Sequence, residues 1–441
     1  MIDGAEAPVP GLKARLSLMM FLQYAIWGAW LPILYPFLLG HRHFTLDQVG
    51  MILAAGAAGA ILGPFIAGQI ADRHVATESC LCFSHLVGAV LVWFLADVAD
   101  FQTFLVLSLL YGLIYAPTLA LTNSLAFHHL ADRDKDFGPI RLWGTIGWIA
   151  AGIGVGQWLA HAHTPAGAPP DVVAAAQDAG RAAAFKLSAL LGLVMGLYSL
   201  TLPHTPPTRE AEARNAATQA LREFRRQPLL TLILLVVPVS CIHQFYFVHT
   251  SSFLAELQRG SSAADGFAQS INSVLGVGGG GLMTIGQMSE AAVLAAIPLL
   301  AGALSRKTLL GIGLAAYAAR MAIFAFAHGM PAILLGVALH GLCFGCFIFV
   351  AFMVVDEETT PDVRASAQNL FNLVYVGVGL IAGSWIATSV IGGWAAAGGP
   401  MDYTKLFSVP MWAALACLLA LLVFYPGGRR PRAVAAPQVP A

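Results

Sequence analysis

The sequence predicts an all-α polytopic membrane protein of twelve transmembrane helices in two sets of six. Three observations carry that prediction. The 441 residues are 58% hydrophobic and 10% charged, with a mean hydropathy of +0.74, whereas a soluble domain carries roughly 25% charged residues. The apolar residues gather into stretches of about 20 or more, the length a helix needs to cross roughly 30 Å of hydrocarbon. One long polar segment, 204–228, divides those stretches into equal halves.

The first stretch, 16–39, follows Lys13 and Arg15. A basic pair before an apolar run has the outline of a signal peptide, but this run exceeds such a hydrophobic region and shows no small-residue cleavage site, so it reads as a retained helix. Further spans are expected at 48–71, 79–98, 101–128, 139–160 and 182–203, and a second set at 229–254, 279–303, 308–327, 331–355, 365–392 and 405–425. The dividing segment opens with HTPPT and continues through an Arg- and Glu-rich stretch suited to a short surface helix. The expected organisation is an N-terminal bundle (1–203), a cytoplasmic central loop (204–228), a C-terminal bundle (229–425) and a disordered cytoplasmic tail (426–441). Two such halves describe a transporter built from repeats, with its solute site between them near the midplane.

Lys and Arg set the orientation, because cytoplasmic loops are enriched in them. With both termini inside, sixteen of the 23 basic residues fall on the cytoplasmic side, and Arg42, Arg181, Lys186, Arg259 and Lys405 fall opposite. Arg141 and Arg320 remain as intramembrane or boundary residues. Both termini are therefore expected in the cytoplasm of a multi-pass cell-membrane protein, in the inner membrane if the source is Gram-negative.

A net charge of zero leaves no basic footprint for nucleic acid. The six cysteines all lie in apolar stretches, where a thiol packs as a small hydrophobe, so neither a disulfide framework nor a metal site is expected. Cys343 and Cys346 form a CxxC inside the tenth span and read as core, since nothing there supports a reactive thiol. Gly276, Gly278 and Gly281 satisfy GxGxxG, but no strand precedes them, so they read as a flexible lead into the eighth span and not as a nucleotide site. Glycine pairs such as Gly152 and Gly156 have the spacing of close helix packing.

After the second span, Gly68, Asp72 and Arg73 resemble the signature loop of the major facilitator superfamily. An acid and an arginine at a helix end suit pairing with a neighbouring bundle and with helix dipoles. The matching loop after the eighth span, Gly302 to Lys307, lacks the acid.

Polar groups within a span cost about 2.5–3.5 kcal/mol when charged, so those retained are candidates for function. In PIRLWGTIGW (Pro139 to Trp148), Arg141, Thr145 and Trp148 fall at positions i, i+4 and i+7, one stripe of a helix. The bland alternative is an arginine that marks the end of a span and snorkels to phosphate. His243, Gln244 and Phe247 cluster in span seven; Gln287 and Glu290 stand three apart in span eight; His340, Phe344 and Phe347 repeat in span ten. Amides, a guanidinium, a carboxyl and flat rings together suit a ligand with an aromatic, amide-bearing ring and several hydroxyls. A nucleoside meets that description, and so does a sugar. Each residue also has a structural reading: Gln244 as a bond to a neighbouring helix, the phenylalanines as packing, His340 as a satisfied interior histidine.

FLQYAIWGAW (Phe21 to Trp30), PTLALTN (Pro117 to Asn123), PIRLWGTIGW and GQMSE (Gly286 to Glu290) together resemble the bacterial nucleoside:proton symporter family of the major facilitator superfamily, over nearly the whole chain. The resemblance implies the major facilitator fold and nucleoside uptake driven by the proton gradient. It also implies that Arg141, Thr145, Trp148, Gln244, Gln287 and Glu290 line the nucleoside pocket. The chain departs from the family pattern in two spans. Phe247 stands where the family has an asparagine. In span ten a tyrosine, phenylalanine and aspartate are replaced by His340, Phe344 and Gly345. With that aspartate absent, Glu290 and His340 are the remaining proton-coupling candidates, and facilitated diffusion stays open.

The expected protein is a secondary transporter working by alternating access, with a nucleoside or related polar solute, protons and the bilayer as its partners and with no cofactor. Its rivals are a transporter of another polar solute, such as a sugar or modified nucleoside, and a non-transporting receptor of the same fold. An enzyme is not expected, since no nucleophile is paired with a base.

Overall fold

The computed structural model describes residues 11–73, 75–206, 216–261, 265–360 and 363–427, with side chains for all of these except 60, 62–73, 134, 216–218 and 365. Ten helices among the described residues are long and apolar enough to cross a membrane. In chain order, together with the other helices that matter here, they are α1 (Leu12–His41), α2 (Leu46–Arg73), α3 (Thr77–Leu95), α4 (Phe101–His129), α5 (Arg133–Ala162), α6 (Pro170–Ser199), α7 (Ala216–Glu223), α8 (Leu229–Gly260), α9 (Gly266–Leu275), α10 (Gly280–Ala303), α11 (Arg306–Phe326), α12 (Met330–Glu358), α13 (Ser366–Ala395) and α14 (Tyr403–Phe424). Helices α2 and α5, 28 and 30 residues long, are not among the ten. The reason for α5 is visible in its sequence: its uncharged stretch, residues 142–159, is diluted by five glycines, three tryptophans, Thr145 and Gln157.

Local chemistry explains several starts. Asp132 accepts from the amide of Lys135 at 3.1 Å and begins α5 six residues before the expected span. Pro139 therefore lies inside the helix and Arg141 more than two turns from its start, not at a helix mouth. Asp100 and Asp402 cap α4 and α14 in the same way, and the amides of Thr103 and Lys405 hold their carboxylates below the usual range. A helical segment at Pro170–Gly180 and the helix α9 lie outside every expected span.

The helix pairing repeats. In the first half α1 packs on α5, α2 on α4 and α3 on α6; in the second α8 packs on α13, α10 on α12 and α11 on α14. Across the halves α5 meets α10 and α2 meets α13. Large apolar residues such as Trp93, Leu190, Leu234, Leu299 and Trp412 are exposed on the outer surface, as lipid-facing positions are. Polar residues point inward instead. Gln23 of α1 donates to Thr118 Oγ1 of α4 at 2.7 Å and lies 2.9 Å from His85 of α3, tying FLQYAIWGAW to PTLALTN inside the first half.

At the end of the molecule away from Leu12 and Phe424, the halves are closed. The amide of Val277 donates to Gly156 O at 3.1 Å, and Gln157 Nε2 donates to Ser273 O and Val274 O at 2.8 and 2.9 Å. Gly276 and Gly278 have φ of 76° and 83°, and a Cβ at Gly276 would strike the backbone of Gly156. The GxGxxG run is thus a tight turn that brings two backbones together. At the other end a cleft of about 460 Å³ is lined by Ala120, Asn123, Ser124, Phe127, His128 and Arg133.

Candidate functional site

Two glycines set the site. A Cβ at Gly286 would stand 2.5 Å from the Tyr246 hydroxyl and 3.1 Å from Cβ of His340, and one at Gly341 would strike the backbone of Ser289. Their absence lets α8, α10 and α12 close on one another, so His340 comes alongside the Gln287 and Glu290 face of α10. His340 Nε2 lies 3.3 Å from Glu290 Oε2 and 3.5 Å from Gln287 Nε2. Its Nδ1 lies 3.1 Å from Nη1 of Arg320, on α11.

Aromatic rings enclose this group. Tyr246 stacks on His340 at 4.6 Å and 17°, His243 at 5.4 Å and 29°, and Phe247 meets it edge-on at 5.8 Å. Tyr317 Oη is 2.6 Å from His243 Nδ1, and Phe344 lies 6.5 Å from the His243 ring. Arg320 is fully buried, with its guanidinium 4.4 Å from the Tyr246 ring and 5.0 Å from that of Tyr317. Such cation–π contacts, worth about 0.5–2 kcal/mol each, offset part of the cost of burying the charge.

The first half contributes a facing surface. Arg141 lies over Tyr24 of α1 at 3.9 Å, and Trp148 packs edge-on against Trp27 at 5.7 Å. Arg141 and Thr145 are half-buried and Trp148 is buried, while Leu142, Trp143 and Ile146 between them are exposed. The polar stripe therefore faces the protein interior, and the snorkelling alternative does not describe Arg141. Arg141 and Tyr24 lie within electrostatic reach of Glu290, as do Tyr246, Tyr317 and Tyr375 from the second half.

Gln244 lies apart from this group. It is buried, and its amide donates to Ser384 Oγ of α13 at 3.0 Å, the helix-to-helix bond that the sequence also allowed. Phe347, Cys343 and Cys346 are buried core. The side chains of Gly68, Asp72 and Arg73 lie outside the described residues. In the second half Arg306 finds its acid elsewhere, as a forked pair with Glu357 at the end of α12 with contacts of 2.6 to 3.2 Å.

The structure also gives a physical reason for Gly345. A Cβ there would come within 2.6 Å of Val293 Cγ1, so the space that an acid would enter is filled from α10. This stretch of α12, Cys343–Phe349, is π-helical, a widening common at functional sites and invisible to a four-and-three spacing rule.

Sequence reasoning missed Arg320, Tyr24, Tyr246 and Tyr317. Arg320 had a signal: it lies in an otherwise apolar stretch, AYAARMAIFAF, and the argument applied to Arg141 applies equally to it. The tyrosines had none, since nothing in a single helix shows which ring will cover a cation on another.

The combined surface offers a guanidinium, an amide, a carboxyl and several flat rings from both halves. It matches a flat heteroaromatic solute with donors and acceptors on its edge.

Comparison with known proteins agrees with that chemistry. A family model described as "Nucleoside H+ symporter" matches residues 11–428. A putative nucleoside transporter of Escherichia coli K12, YegT, is 30% identical over 381 residues, which cover 84% of this chain and 82% of that protein. The xanthosine permease of the same organism is 28% identical over 434 residues, 94% and 95% of the two chains. A crystal structure of the nucleoside transporter NupG is similar in fold, with a TM-score of 0.79 at 23% identity over 93% of this chain and 98% of that one.

Proposed function

The chain belongs to the nucleoside H+ symporter family, and from that premise we propose that Arg141, Thr145, Trp148, Gln287, Glu290 and His340, with Phe247 and Phe344 as ring walls, form its solute site. The protein is a secondary transporter of the major facilitator fold that imports nucleosides with protons, and it is not an enzyme. The observation that supports the site assignment is that Arg141 and Tyr24 of the first half lie within electrostatic reach of Glu290, which gathers with Gln287 around His340 in the second half. Gln244 acts at one remove, through the α8–α13 contact made by its bond to Ser384.

Helices α2 and α5 complete a set of twelve spans in this reading, and the repeated pairing of helices supports two six-helix units joined by 204–228. With both termini cytoplasmic, the closed end is extracellular, which fits an inward-facing stage of alternating access.

Counterflow in proteoliposomes tests the reading. Vesicles loaded with unlabelled nucleoside are expected to draw in tritiated uridine, adenosine or xanthosine transiently above equilibrium. Saturable binding of these nucleosides with no exchange would make the protein a receptor, and exchange of sugars but not nucleosides would change the substrate class.

A further inference from the structure

Arg320 has no carboxylate within 4.0 Å among the described residues, although it is fully buried. Its Nε and Nη2 have no hydrogen-bond partner, so the bond from Nη1 to Nδ1 of His340 is the one its guanidinium makes there. A guanidinium only donates. Nδ1 of His340 must therefore be the accepting, unprotonated nitrogen, and the proton of the neutral imidazole sits on Nε2. That atom is turned toward Glu290 Oε2 at 3.3 Å. The other neighbour of Nε2, the Gln287 amide nitrogen at 3.5 Å, is itself a donor, which leaves the Glu290 carboxylate as the acceptor.

We propose that Arg320 is a positioning residue for proton coupling: it holds His340 in the tautomer whose Nε2–H donates to Glu290, and so assigns the transported proton to Glu290 and not to His340. A second proton on His340 would have to enter at Nδ1. It would strip Arg320 of its hydrogen bond and set two cations side by side in a buried ring of tyrosines. A proton on Glu290 disturbs neither contact. The charged and titratable groups around these side chains are Arg141, Tyr24, Tyr246, Tyr317, Tyr375, Arg320, Cys343 and His243; there is no second carboxylate among them, and the other base, His243, has its Nδ1 engaged with the Tyr317 hydroxyl at 2.6 Å. The proposal rests on the symport reading in one respect, that a proton binds at this site.

The first test is equilibrium binding of tritiated nucleoside (uridine, adenosine or xanthosine, whichever the unmutated protein exchanges) to purified full-length Arg320→Gln and Arg320→Lys from mildly acidic to mildly alkaline pH. Removing a positive charge eases protonation of Glu290, so in Arg320→Gln the midpoint of the pH dependence is expected to move toward alkaline pH by about one unit, a tenfold change in proton affinity. Arg320→Lys keeps the charge and is expected to stay near the unmutated midpoint. An unshifted midpoint in folded Arg320→Gln, or equal loss of binding at every pH in both variants, would overturn the proposal and leave Arg320 a packing residue.

The second test needs no arginine variant. In ¹⁵N-histidine spectra of the unmutated protein, with His340 assigned by comparison with His340→Gln, the neutral Nε2–H tautomer is expected throughout that pH range. A doubly protonated His340 at mildly acidic pH would refute the assignment. If the unmutated protein exchanges nucleosides but never accumulates them against a pH gradient, the symport reading fails, while both measurements still decide the role of Arg320.

Discussion

The guanidinium of Arg141 lies 3.9 Å above the ring of Tyr24. It is held by a face and not by an acid, and no carboxylate stands within 4.0 Å of it among the described residues. A stacked guanidinium keeps its N–H groups in the ring plane of the fork, free to donate sideways to a solute. On the far side of the site, Gln287 and Glu290 present an amide and a carboxyl from the other half. In the proposed site a solute between them would be gripped by both bundles at once, the arrangement that couples occupancy to their relative motion.

The first prediction follows from that division. Arg141→Ala and Gln287→Ala should each weaken nucleoside binding to the purified protein by about 5- to 150-fold, the equivalent of about 1–3 kcal/mol for one lost partner of a buried polar contact. Arg141→Lys should not restore it, because an ammonium lacks the planar fork that stacks on Tyr24. Isothermal titration on monodisperse protein reads the effect. Unchanged affinity in both alanine variants would place the site elsewhere.

The second concerns the closed end. Gln157→Ala removes the donors to Ser273 O and Val274 O, and at about 1 kcal/mol net per hydrogen bond the equilibrium should move roughly tenfold or more toward opening. Thr284 lies buried just beneath this contact, near Gly152. In a background without native cysteines, Thr284→Cys should react severalfold faster with an impermeant thiol reagent from outside when Gln157 is also alanine. Equal rates in the two backgrounds would show that this bond does not hold the gate.

The third is topological. Single cysteines at Ala217 and Ala435 should be protected from the same reagent in intact cells, while one at Ala166, exposed beyond the far end of α5, should be labelled. The reverse pattern would invert the orientation drawn from the basic residues.

Much of this was legible in the residues because the bilayer simplifies the problem: an apolar stretch long enough to cross has few alternatives to helix. The same logic singles out Arg141, Gln287, Glu290 and His340 as candidates, since a polar group kept in such a stretch needs a reason. What could not be read was which polar group meets which. Gln244 satisfies that logic as well as Gln287 does, yet its amide is taken by Ser384, and only the placement of α13 distinguishes the two. Arg320 reads from the sequence as an intramembrane or boundary residue and no more, because position along a span does not reveal depth or neighbours. Helix starts were misjudged where caps act beyond the apolar core, as Asp132 does for α5. The π-helical turn after His340 has no hydropathy signature at all, and neither has the filling of the Gly345 site by Val293.

The last prediction separates transport from its coupling. Glu290 is the carboxyl on which the site converges, 3.3 Å from His340 and within electrostatic reach of Arg141. When the carboxylate is ionised it balances one of the two guanidinium groups nearby, half-buried Arg141 and buried Arg320. In the proposed site a solute that engages Arg141 would withdraw part of that support and make proton uptake by Glu290 easier, so that solute and proton would load together. Glu290→Gln preserves size and hydrogen bonding but cannot titrate. It should keep nucleoside counterflow within a fewfold of the unmutated protein and lose accumulation driven by an inside-alkaline pH gradient. The measurement is paired uptake with and without the gradient in the same proteoliposomes. Accumulation that survives in Glu290→Gln would remove Glu290 as the carrier. Its absence from the unmutated protein as well, with exchange intact, would make the protein a uniporter, in which the carboxyl serves solute binding alone.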